Sequence, residues 1–143
     1  RLRSSHQDSE PCQLSHALHA YWRVSDVVRV TVLGLEGAHG HDLLRRAACQ
    51  QRGALRVEDG CHRIFRRGGL LQLQDLAWQR SLSIDTHGAA NSVVWHPGSR
   101  PLTDVGWSEA LGFLSVQAAC CAADSLTLQP GQEALLQLSA QLS

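Results

Sequence analysis

The sequence predicts an all-β fold, an antiparallel β-sandwich, from three observations. Apolar and polar residues alternate with a period of two in many short segments, such as LLQLQ at 70–74 and LLQLSAQLS at 135–143. This alternation places the apolar side chains of a strand on one face of a sheet. Clusters of Gly, Asp, Asn and Pro separate these segments at short intervals, and long helical periods are missing. Such spacing is typical of an antiparallel sandwich or barrel.

The predicted elements follow one another closely along the chain. LSHALHAYWRVSD (14–26) has the composition of a buried strand. Further strands are predicted at 29–35, 54–58, 70–74, 81–85, 92–95, 112–118, 125–129 and 135–143. HDLLRRAACQQ (41–51) fits either a helix or a strand followed by a loop, and WHPGSRPLTDVG (95–106) is predicted to be the one long loop. QPGQ (129–132) predicts the turn before the last strand.

Length and charge restrict the classes of function. We expect a single domain over residues 1–143, because the chain has the length of one ordinary domain. The formal net charge is zero with interspersed signs, which speaks against a nucleic-acid or membrane-surface partner. Each of the 13 basic residues is an arginine, so Schiff-base and P-loop lysine chemistry are excluded.

The cysteines and the chain start also carry information. Five cysteines with one adjacent pair, Cys120 and Cys121, and no CxxC motif favour reduced, core-filling thiols and a cytoplasmic location. A redox role for the adjacent pair is the alternative. The chain begins with Arg1 and contains no methionine, so we expect a processed product, a fragment or a truncated form.

Histidines are the first candidates for a site. His16 and His19 lie three residues apart in the apolar stretch at 14–26, so on one strand they point to opposite faces and do not chelate one metal. His16 is expected to face solvent or to be structural. His39, His41 and Asp42 suggest a metal site only weakly, since a polar, glycine-rich loop explains them equally well.

Several segments, taken in order, resemble the hexose-6-phosphate 1-epimerases, a family of the aldose 1-epimerase (galactose mutarotase) superfamily. The segments are ALHAYWRVSDVVRVTVLGL (17–35), HRIF (62–65), SVVWHPGSRPLTDVG (92–106, with a turn at Asp104), GFLSVQAA (112–119) and LTLQPGQ (126–132). The resemblance covers only the C-terminal half of the family. It implies an incomplete galactose-mutarotase-like supersandwich, without the N-terminal half that supplies another active-site His and most phosphate-binding arginines.

The resemblance implies general acid–base catalysis on a small-molecule sugar or sugar phosphate. Anomers interconvert when one group protonates the ring oxygen and another takes the proton of the C1 hydroxyl. The acid of the family falls on His19. The base, a Glu in the family, is Gln117 here, and a family Asp that holds hydroxyls is His62. A neutral amide accepts no proton near pH 7, so activity is doubtful unless His62 or water replaces the base. His62 occupies the position of a hydroxyl-binding residue, which speaks against it as the base. The resemblance implies no metal or organic cofactor.

Further residues are assigned to substrate binding by their places in the same motifs. Arg63 follows His62, Trp95 lies in the long loop motif, and His96 stands where the family has Asn. Trp95 and Trp107 are candidates for stacking on a sugar ring, although core packing explains each of them as well.

Two other functional classes remain open beside a working mutarotase. The first is a catalytically inactive carbohydrate-binding or structural β-sandwich of the same descent, and the second is a carbohydrate-binding or interaction module of unrelated origin. A half-sandwich is also expected to self-associate through its exposed sheet edges.

Overall fold

The computed structural model describes residues 1–100, 102–103 and 105–143, and of Trp107 the backbone only. Asp104, the residue of the predicted turn, lies outside them. The described strands are β1 (Leu2–Ser5), β2 (Cys12–Leu14), β3 (His16–Leu18), β4 (Tyr21–Arg23), β5 (Val30–Leu33), β6 (His39–Asp42), β7 (Ala47–Gln50), β8 (Cys61–Phe65), β9 (Leu71–Asp75), β10 (Arg80–His87), β11 (Asn91–His96), β12 (Phe113–Cys120), β13 (Leu126–Leu128) and β14 (Glu133–Leu142). A short helix α1 covers Trp107–Ala110, and 3₁₀ turns cover Val27–Arg29 and Ala122–Asp124.

The strands form two antiparallel sheets and a small ribbon. The five-stranded sheet has the order β1-β14-β10-β9-β5. The large sheet has the order β3-β12-β11-β8-β6-β7, and β4 lies beside β12 at the same edge as β3. β2 and β13 make the ribbon. The predicted antiparallel, all-β sandwich is therefore confirmed.

One apolar core lies between the two sheets. The five-stranded sheet contributes Leu71 and Ile84, and the large sheet contributes Phe65, Val94 and Leu114, all of them at most 1% exposed. Each of these residues lies in a strand, so its neighbours in sequence point away from the core. The period of two along each strand therefore also determines which side chains the large sheet presents on its other face.

The segment at 41–51 is a β-hairpin of β6 and β7. The carboxylate of Asp42 accepts the backbone N–H groups of Leu44 and Arg45, both at 3.0 Å, and so satisfies the amides of the turn. Arg46 then adopts a φ of 54°, which a helix does not allow. The helix alternative is wrong, because pairing of β6 with β8 and the side chain of Asp42 stabilise a strand and a tight turn instead.

Candidate functional site

The face of the large sheet that points away from the core carries most of the predicted site, and we term it the outer face. Leu114 and Val116 of β12 lie in the core, so Ser115 and Gln117 point to the outer face. Val93 is paired with Gln117 and Trp95 with Ser115. His62 of β8 is paired in turn with Trp95, so Gln117, Trp95 and His62 share this face.

His19 lies opposite Gln117 at an interruption in the sheet edge. β3 pairs Leu18 with Ala118, and β4 pairs Tyr21 with Ser115. The same register holds on both sides of the interruption, so it sets His19 across from Gln117, with its side chain exposed. The structure thus brings the two positions that the resemblance implies for acid and base next to each other.

Gln117 lies at the floor of this face in a defined hydrogen-bond chain. Its side chain is 3% exposed, and its Nε2 donates to the Ser115 hydroxyl at 2.9 Å. That hydroxyl donates its own proton to the carbonyl oxygen of Ala20 at 2.9 Å. In this series of hydrogen bonds Gln117 is a donor, which is a role that an ionised glutamate cannot fill.

His62 is half-buried on the outer face and is mostly neutral at pH 7. Burial lowers its pKa from the ordinary 6.5, and the positive charges of Arg100 and His19 lower it further, against the opposing charge of Asp42. A neutral imidazole has one nitrogen free to accept a proton. His62 therefore has the chemistry of a general base on this face.

Aromatic side chains border the same face. The ring of Tyr21 lies 6.3 Å from that of His19 and 6.2 Å from that of Trp95, and Phe113 stacks on Trp95 at 6.1 Å. Sequence reasoning missed Tyr21 and Phe113 as site residues. The signal was the period of two, because Tyr21 stands two residues after His19 and Phe113 stands two before Ser115.

Arg63 and His96 lie away from this group. Arg63 points to the side opposite to its neighbour His62, and its Nε donates to the Oδ2 of Asp42 at 2.9 Å. It lines a smaller cavity of about 390 Å³ together with Arg56 and Glu58. The structure therefore brings His19, Gln117, His62 and Trp95 together, and leaves Arg63 on a different surface.

His96 holds the loop after β11 instead of facing the group. Its Nδ1 accepts the backbone N–H of Gly98 at 3.0 Å, so its Nε2 carries the proton and donates to the carbonyl oxygen of Ala110 at 2.9 Å. Burial lowers its pKa, which favours this neutral form. The imidazole is 3% exposed and joins the loop to α1.

The remaining candidates have structural surroundings. His16 faces away from the outer face, as predicted, but it is buried and not solvent-facing, with its Nδ1 3.3 Å from the Ser4 hydroxyl. Among the described residues no group of three His, Cys, Asp or Glu side chains could hold a metal ion. All five cysteines are free thiols, including Cys120 and Cys121. The side chain of Trp107 lies outside the described part of the structure.

The comparisons with known proteins agree with this architecture. A Cenchrus ciliaris protein assigned by inference as a glucose-6-phosphate 1-epimerase is 27% identical over an alignment of 139 residues, and the match covers 93% of this chain and 42% of the relative. The structure of a Salmonella typhimurium protein assigned by inference as a mutarotase matches with a TM-score of 0.81, 20% identity, and coverage of 94% of this chain and 47% of that one. An Escherichia coli K12 protein assigned by inference as an aldose 1-epimerase matches with a TM-score of 0.74, 14% identity, and coverage of 99% and 54%. No protein-family model matches the chain.

The fold of the chain is a galactose-mutarotase-like β-sandwich. Its sequence is similar to that of the glucose-6-phosphate 1-epimerase relative, which agrees with the resemblance that the order of the motifs indicated. The chain spans about half the length of the relatives it matches. No helix in the described part of the chain is long and apolar enough to cross a membrane.

Proposed function

We propose that this chain is the C-terminal portion of a mutarotase-like domain that interconverts the α and β anomers of an aldohexose, with a hexose 6-phosphate as substrate. The observation that carries the proposal is the position of His19 opposite residue 117, on a face shared with a neutral His62. The names of the relatives support the type of reaction, and the glucose-6-phosphate relative supports the phosphorylated substrate.

The chemistry assigns one task to each of the two histidines. His19, when protonated, delivers its proton to the ring oxygen, and the ring opens as the C1–O bond to that oxygen breaks. His62, when neutral, takes the proton of the C1 hydroxyl, which becomes the carbonyl oxygen of the open form. Rotation about the C1–C2 bond and the reverse transfers then close the other anomer. Gln117 orients a hydroxyl by hydrogen bonding and moves no proton.

The second candidate function is sugar binding without turnover. Gln117 favours it, because losing a general base costs about 10²–10⁴ in rate, and the buried amide is engaged as a donor to Ser115. On this reading the aromatic rings of Tyr21 and Trp95 bind a sugar that leaves unchanged.

Anomer exchange measured by NMR separates the two candidates. Glucose 6-phosphate and glucose are each equilibrated with the purified chain, and the exchange rate is compared with the rate in matched buffer. We expect acceleration that His19→Ala reduces at least tenfold, while His87→Ala, an exposed histidine on the five-stranded sheet, leaves it unchanged. A rate equal to buffer with sugar resonances broadened by the protein would favour the binding module over the enzyme. Equal acceleration of glucose and glucose 6-phosphate would show that the phosphate is not required.

A further inference from the structure

The edge of the large sheet is interrupted at His19 and Ala20. Strand β3 ends at Leu18 and β4 begins at Tyr21, so the two residues between them belong to neither strand. The register on both sides of the interruption sets Ala20 across from Val116. In a continuous antiparallel ladder, backbone N–H groups of the partner strand pair the carbonyl groups. Where the ladder is interrupted, other donors must pair them.

Side chains from both sides of the sheet hold this interruption. From the outer face, the Ser115 hydroxyl donates to the carbonyl oxygen of Ala20 at 2.9 Å. The indole of Trp22, which packs against the core, donates its N–H to the carbonyl oxygen of Val116 at 3.2 Å. The interruption is therefore a fixed feature of the sheet edge and not a frayed strand end.

The Ser115 hydroxyl is a buried link between residue 117 and the backbone that carries His19. Ser115 is 0% exposed, so a bound sugar does not touch it. Its oxygen accepts an N–H of the Gln117 amide at 2.9 Å, which leaves its own proton for Ala20. Ala20 separates His19 from Tyr21, and the rings of these two residues lie 6.3 Å apart. A shift of the backbone at Ala20 therefore moves both rings relative to Gln117.

We propose that Ser115 is a positioning residue for His19 and that Gln117 orients its hydroxyl. The hydroxyl fixes the backbone at Ala20 and thereby places the imidazole where it reaches the ring oxygen of the sugar. The inference rests on the proposed function, since proton transfer by His19 is the step that this placement serves. Loss of the hydroxyl displaces His19 but removes no group that touches the sugar, so turnover falls while sugar binding is kept. A displacement of about 1 Å can cost about a hundredfold in rate.

NMR cross-peaks between the rings of His19 and Tyr21 test the placement, and the kinetics of anomer exchange test its consequence. We expect Ser115→Ala to weaken the cross-peaks about twofold or more and to lower kcat about ten- to a hundredfold, with KM changed less than about twofold. Ser115→Thr keeps the hydroxyl and should retain most of both signals. If Ser115→Ala does not fold, Ser115→Cys fills the same space with only a weak donor and should show the same losses.

Ser92→Ala is the matched control. Ser92 lies on the neighbouring strand β11, is also 0% exposed, and donates its hydroxyl to the carbonyl oxygen of Arg67 at 2.6 Å. The control thus removes the same kind of buried hydrogen bond, and its loss of stability should be comparable. The cross-peaks and kcat of Ser92→Ala should stay those of the parent chain.

The outcomes separate this inference from the proposed function. Cross-peaks that are unchanged in Ser115→Ala, or weakened equally in Ser92→Ala, would overturn the positioning role. A raised KM with unchanged kcat in Ser115→Ala would overturn it as well, because the hydroxyl would then serve sugar binding. In a parent chain without anomer exchange, cross-peaks lost only in Ser115→Ala would support the placement of His19 by Ser115 and refute the proposed reaction.

Discussion

Replacing Gln117 by Glu is the most informative perturbation of the outer face. In the structure the Gln117 amide donates to Ser115, whose single hydroxyl proton is already donated to the carbonyl oxygen of Ala20. An ionised glutamate is only an acceptor, so either the carboxylate or the Ala20 carbonyl loses its donor. Because residue 117 is 3% exposed, the unpaired group costs about 1–3 kcal/mol of unfolding free energy.

The same argument predicts the pH dependence of this cost. Burial disfavours the charged form and raises the pKa of the introduced carboxyl group above the ordinary glutamate value of about 4.3. Below that value the acid is protonated in both the folded and the unfolded state, donates to Ser115 as the amide does, and costs little. As the pH rises toward the higher pKa of the folded state, the unfolded state releases its proton first, so stability falls and then levels off.

Urea unfolding at pH 4 and pH 8 measures this effect, and anomer exchange measures the chemistry. We expect Gln117→Glu to lose stability at pH 8 but not at pH 4, and to gain about 10²–10⁴ in exchange rate when the carboxylate is ionised. Gln137→Glu, the same change at an exposed position of β14, should alter neither quantity. A stability loss that is equal at both pH values would refute the buried hydrogen-bond chain. A folded variant without any rate gain would refute the pairing of residue 117 with His19.

Two further predictions concern titratable side chains, Asp42 and His96, that hold the loops. Burial by itself raises the pKa of Asp42, but hydrogen bonds from the backbone of Arg45 and the side chains of Arg63 and Arg45 outweigh it and lower the pKa from 3.8 to about 2. Asp42 therefore contributes about 2 kcal/mol of unfolding free energy, which is present above pH 3.8 and lost as the pH falls toward 2. Urea unfolding of Asp42→Asn should show this loss at pH 7, and its unfolding free energy should change less between pH 4 and 2 than that of the parent chain. An unchanged pH profile would contradict the prediction. His96, with its pKa lowered by burial, contributes stability that is complete above pH 6.5 and declines as the pH falls below it. The melting temperature of His96→Asn should fall less between pH 7 and pH 5 than that of the parent chain, and an equal fall would argue against a neutral His96. His62, whose pKa is also lowered, accounts for part of the fall that remains.

Most of the strands follow from local patterns in the sequence. The predicted strand at 54–58 is wrong, because this segment forms only an isolated bridge between Leu55 and Val32. The order of the motifs predicted the mutarotase-like fold and singled out His19 and Gln117, which the structure sets opposite each other. The register that sets these two residues opposite each other depends on pairing between residues about 100 positions apart. Such pairing is a tertiary property, and no single segment contains it.

The sequence already indicates that Arg63 and His96 point away from the outer face. Consecutive residues of a strand point to opposite sides, so Arg63 is separated from His62, and His96 from Trp95, wherever these segments form strands. The hairpin at 41–51 is harder to predict from the sequence. LLRRAACQQ has good intrinsic helix formers, and only the partner strand β8 and the Asp42 turn override that preference.

The position of β14 has a consequence for how the chain reaches its structure. This ten-residue strand pairs through its first part with β1 and through its second part with β10, and the ribbon likewise joins β2 to β13. Residues 2–14 therefore have their strand partners among residues 126–136. During synthesis residues 2–14 stay unpaired until residues 126–136 have left the ribosome. Because their pairing with β14 and β13 closes loops of more than 100 residues, it is a late and slow step of folding. Before this step the unpaired β1 and β2 can pair with strands of another chain.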